Sequence, residues 1–141
     1  MSSAPLVSTF VALALIPVAF LFTHAYITGR KHHSLHRVTG PIAIVWDLSL
    51  SIFYMLFRTF GGQVEGTGLK VEGAMLAYFV AHGMIAVVVI ALELVVLVTG
   101  AMQLRKKAPV RLHGRIVLPL YFIWWAAFLS GEVVYLVNYV L

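Results

Sequence analysis

The chain of 141 residues has no cysteine, which excludes disulfide frameworks, thiolate metal sites and thiol catalysis. It is also short of charge. Only 11% of its residues are charged, where a soluble domain has about 25%, so a water-facing surface cannot be covered. Acids are the scarcest, with five Asp and Glu against ten Lys and Arg. No Gly-rich phosphate loop, nucleophile elbow or metalloprotease motif occurs, and a non-enzymatic role is expected.

What is abundant is apolar: 62% of the residues are hydrophobic and the mean hydropathy is +0.99. Lipid is the solvent that such a chain fits. Four apolar runs, 6–27, 38–57, 74–102 and 116–139, each come close to or exceed the roughly 20 residues that cross about 30 Å of hydrocarbon as a helix. β-branched residues are common in them, but runs of this length argue helix over strand. The expected fold is all-α, one integral membrane domain over 1–141, built as a four-transmembrane-helix bundle running up-down-up-down. The start lacks the basic region of a cleavable signal peptide, so the first helix is expected to be retained.

Basic residues set the expected orientation. Arg30, Lys31 and Arg37 flank the first loop, and Arg105, Lys106, Lys107, Arg111 and Arg115 the third. Only Arg58 and Lys70 flank the Gly-rich middle loop, beside Glu65 and Glu72. A multi-pass protein of the plasma membrane follows, with loops 28–37 and 103–115 cytoplasmic and both termini outside. The net charge of +5 lies beside apolar segments, which points to topology and anionic lipid rather than nucleic acid.

The halves echo one another. Thr28-Gly29 precedes Leu35-His36, Pro41 and Trp46; Thr99-Gly100 precedes Leu112-His113, Pro119 and Trp124. Both halves enter and return the same way, so the expected repeat is parallel, about an axis along the membrane normal.

Ionisable side chains within hydrocarbon are costly, and each is a candidate for function. His24, Asp47, His82, Glu93 and Glu132 qualify. Helical rise places His82 and Glu132 about 8–9 Å outward of the midplane, Met55 about 10 Å outward, Glu93 about 7 Å inward and His24 about 12 Å inward. Asp47 falls near the centre. Two layers are therefore expected: an outer one of His82, Glu132, Met55 and Tyr54, and an inner one of His24, Glu93, His36 and His113.

The inner layer points to haem, since imidazoles on facing helices of a bundle core are haem-iron ligands. His36 and His113 hold equivalent places in the repeat, and His24 competes with them. The alternative is that both are interfacial residues beside phosphates, next to Arg37 and Arg115. In the outer layer, His82 with Met55 fits haem, and His82 with Met75 and Met84 fits copper. Against these stands a simple buried pairing of His82 with Glu132. Asp47, Glu93 and His24 also step through the inner half as a proton relay does. His32 and His36 would share a metal only if the second helix began early.

The stretch from Met75 to His82, the elements Leu112-His113-Gly114-Arg115 and Leu118-Pro119, and the ending Ser130-Gly131 to Tyr135 resemble the CtaM/YozB-like family of small four-helix membrane proteins. In the first half, His36-Arg37 and Ser51-Ile52-Phe53-Tyr54 are similar to the family pattern. The resemblance implies a part in assembling or haem-equipping a haem–copper terminal oxidase, with His36, His82 and His113 as ligands. Arg58 stands where the family often has histidine, which weakens an outer haem, and His24 has no place in the pattern. A haem, of b type, in a respiratory membrane protein is the leading expectation. An accessory structural subunit of a respiratory complex, or a small b-type cytochrome transferring electrons, are the alternatives.

Overall fold

The computed structural model describes residues 6–60 and 72–140. Four helices fill it: α1 (Leu6–Arg30), α2 (His36–Phe60), α3 (Ala74–Lys106) and α4 (Arg111–Tyr135), the last running on into one π-helical turn over Leu136–Val140. All four are long and apolar enough to cross a membrane. Their outward faces carry large apolar side chains such as Phe10, Phe20, Val98 and Phe122, as the solvent-facing side of a lipid-embedded bundle requires. The protein is a multi-pass, all-α membrane bundle. Glu65 and Lys70 lie outside the described residues.

Helix ends run past the apolar runs because polar turns continue the backbone hydrogen bonding. α1 closes in a paired-bond cap, His33 N–H to Thr28 O at 2.8 Å and His32 N–H to Gly29 O at 3.2 Å. His32 takes the left-handed position of that cap with φ 52, a place glycine usually fills. α2 therefore starts at His36, and His32 does not share a helical turn with it. α3 ends on Arg105 and Lys106, cations suited to the negative end of the helix dipole. The Gln103 side chain then accepts the Val110 N–H at 2.9 Å, tying the loop to the start of α4.

Contacts at one end establish the directions of the helices. Ser8 meets Tyr54 at 3.1 Å and Thr9 meets Tyr135 at 2.9 Å, so the start of α1 lies beside the ends of α2 and α4. Tyr78, near the start of α3, donates to Ser130 O at 2.9 Å. α1 and α3 thus run together, against α2 and α4. Each hairpin packs most closely within itself, α1 on α2 and α3 on α4, while α1–α4 and α2–α3 contacts close the ring.

Burial follows the expected repeat. A shift of 71 residues carries Val18, Ala25 and Thr28 of α1 onto Val89, Val96 and Thr99 of α3, all six of them buried. A shift of 77 carries Ala43 and Asp47 of α2 onto Leu120 and Trp124 of α4, again all buried. The identical Pro-to-Trp spacings sit one residue out of this register. One residue turns a helix by about 100°, and accordingly Trp46 faces outward while Trp124 is enclosed.

Candidate functional site

At the end of the bundle marked by the basic loops, two imidazoles face each other from diagonal helices. The rings of His36 and His113 stand 6.2 Å apart, centre to centre, and nearly perpendicular at 76°. Each is held by its own hairpin in the same way. His36 Nδ1–H donates to Ala25 O at 2.7 Å. His113 Nδ1 lies 3.2 Å from Val96 O and 3.0 Å from Thr99 Oγ1. Because Thr99 gives its own hydroxyl proton to helix carbonyls, His113 Nδ1 is the donor. Ala25 and Val96 are counterparts in the repeat, each four residues before a glycine.

Those glycines are what lets the rings in. A Cβ on Gly29 would stand 2.8 Å from His36 Cε1 and 2.9 Å from Nδ1; one on Gly100 would stand 3.2 Å from His113 Cε1. The Nδ1–Cε1 edge of each ring is therefore pressed against its own hairpin. With Nδ1 protonated and donating to backbone, Nε2 carries the free lone pair in both rings, the tautomer in which histidine binds iron. With Nε2 left available on both rings, His36 and His113 are the residues that would hold a haem iron at this end of the bundle. The described residues include no cluster of three or more His, Cys, Asp or Glu able to hold a bare metal ion.

The middle of the bundle holds a different group. Asp47 and Glu93 lie beside each other, and Trp124 donates its Nε1–H to Asp47 Oδ1 at 3.1 Å. The indole is sandwiched between Phe22 at 4.7 Å and Phe128 at 5.2 Å. Asp47 and Trp124 are themselves repeat counterparts, meeting near the pseudo-axis.

The remaining sequence candidates do not join either group. His24 faces outward from α1, with Nδ1 3.2 Å from the Thr39 hydroxyl. Glu93 lies with Asp47 at mid-bundle, so the expected inner layer of His24, Glu93, His36 and His113 reduces to the two histidines. A relay of Asp47, Glu93 and His24 keeps its carboxyls but not its imidazole. At the opposite end His82 Nδ1 meets Ser130 Oγ at 2.6 Å. That hydroxyl already donates to Ala127 O, so the imidazole is the donor. Serine, not Glu132, partners His82. The half-buried Glu132 accepts the Leu136 N–H at its backbone carbonyl, while its carboxyl makes no hydrogen bond or ion pair among the described residues. Met55 and Met84 are both exposed on the outer surface. The repeat counterpart of His82 is Val11, so this end lacks a second imidazole at the matching place.

Sequence reasoning named the histidines but not their fittings. The hydroxyl of Thr99, the clearance at Gly29 and Gly100, and the indole donor of Trp124 all emerge only in three dimensions. The paired Thr-Gly steps were their visible trace. Compared with known proteins, the chain matches no family model, no curated protein and no solved structure.

Proposed function

We propose that the protein binds one haem, of b type, between His36 and His113, and that it serves the respiratory apparatus of the plasma membrane as a terminal-oxidase assembly factor. The observation that carries the reading is the pair of matched imidazoles, 6.2 Å apart, each with Nδ1 spent on a carbonyl or hydroxyl of its own hairpin. Interfacial histidines serving only lipid phosphates have no reason to be turned toward each other and locked in one tautomer. The resemblance to the CtaM/YozB-like family supports the oxidase connection, and the placement of the basic loops supports a cytoplasmic location for the haem end.

A haem held there would supply a one-electron couple. The chain's own part is positional. Ala25 and Val96 carbonyls orient the rings, and the apolar core of Val18, Ala43, Val89 and Leu120 keeps water from reaching the site along the axis. A haem near one face of the bilayer reaches a partner on that face. It does not by itself bridge the membrane, which favours haem handling for a neighbouring oxidase over electron transfer across the bilayer.

Purified in detergent after haem supplementation, the protein is expected to show a Soret band and a reduced-minus-oxidised α band at one haem per chain. Absence of both would remove the haem reading and leave the accessory-subunit role. Gly29→Ala is expected to drive the His36 ring off Ala25 O and weaken haem retention by about 10- to 100-fold, the usual cost of losing an orienting contact behind a ligand. Gly100→Ala, with the looser 3.2 Å approach, is expected to cost less. Haem titration of the two variants checks the order.

A further inference from the structure

Glu93 is 0% exposed, and neither of its carboxyl oxygens has a hydrogen-bond partner among the described residues. Its polar neighbour is the carboxyl of Asp47 on α2. Asp47 is 3% exposed; it accepts the Trp124 N–H, and Ser51 lies close to the same carboxyl. From α4 the acids meet Trp124, which is stacked on Phe22 of α1, and neither ring titrates. No cation among the described residues offsets either acid.

Two touching carboxylates without a cation, enclosed in hydrocarbon, cannot both be ionised. A carboxylate only accepts hydrogen bonds, whereas a carboxylic acid also donates one. The surroundings divide the roles. Asp47 already receives an indole N–H, which suits the anion; Glu93 receives nothing, which suits the acid. Packing does not require an acid here either, because the repeat counterpart of Glu93 is Phe22, which is also buried.

We propose that Glu93 and Asp47 form a proton-binding site at the centre of the membrane, one proton being held on Glu93 and donated to Asp47. The partner that Glu93 lacks as a carboxylate is supplied when its O–H turns to Asp47. Exchange runs along α2, where Asp47, Ser51 and Tyr54 recur at helical spacing and Tyr54 meets Ser8 at 3.1 Å. The route leads away from the histidines, and the site stands whether or not a haem is bound.

The test is infrared spectroscopy of the protein in liposomes at neutral pH. A carbonyl band of a neutral carboxyl is expected, separate from the carboxylate bands and moving on transfer to heavy water. Glu93→Gln removes it, Asp47→Asn keeps it, and Ser51→Ala slows its movement severalfold. Should Glu93→Gln not fold, heavy-carbon glutamate moves the wild-type band and heavy-carbon aspartate does not, with Glu132→Gln leaving it in place. No neutral-carboxyl band, or one that follows Asp47 or Glu132 instead, overturns the proposal. An exchange rate unchanged by Ser51→Ala overturns the route.

Discussion

At the proposed haem site, alanine at His36 or at His113 is expected to abolish the haem spectrum obtained on supplementation, and the double variant is expected to bind no haem. Alanine at His24 or His82 leaves the spectrum in place. The four substitutions remove the same ring, so only position separates them. His36 and His113 are anchored at Nδ1 by their own hairpins and meet across the bundle. His24 faces outward with Thr39. His82 is spent on Ser130 at the far end; from residue 82 to Gly100, which His113 touches, α3 rises about 27 Å. No haem reaches both. A spectrum that survives at His36→Ala and His113→Ala but fails at His82→Ala would transfer the site to the opposite end of the bundle.

The bundle itself was legible because lipid imposes a coarse rule: long apolar runs, short polar breaks. Which face of each helix looks inward was far less so. α3 is apolar almost all round, so periodicity carried no signal for the direction of Glu93, and depth alone grouped it with the histidines. Depth misled for a further reason. Helical side chains lean toward the N-terminus of their own helix. α2 and α3 run in opposite directions, so Asp47 and Glu93 lean toward each other and close a gap of about 7 Å that rise per residue had placed between them. His36 and His113 were legible through the repeat. Trp124 was not, because the Pro-Trp spacing matched it with Trp46, while its structural counterpart is Asp47.

Trp124→Ala is expected to destabilise the folded bundle by about 3 kcal/mol, the lower end of the range for removing a large aromatic from a core. The lower end applies because lipid is as apolar as the core, so the unfolded reference keeps the indole in an apolar solvent and the transfer contribution falls away. What remains is lost packing: the indole is 2% exposed and stacked on both Phe22 and Phe128. Its hydrogen bond to Asp47 is the smaller effect, since such bonds between membrane helices contribute about 0.6 kcal/mol on average and up to about 1.7. Trp124→Phe keeps an aromatic ring in the stack and loses the donor, so it is expected to cost about 1 kcal/mol. Trp125→Ala, at a half-buried neighbour, is expected to fall below Trp124→Ala. Reversible unfolding in mixed detergent micelles orders the three. If Trp124→Phe proves as damaging as Trp124→Ala, the N–H on Asp47 outweighs the stack, and the centre of the bundle is held by its polar group rather than by its aromatic one.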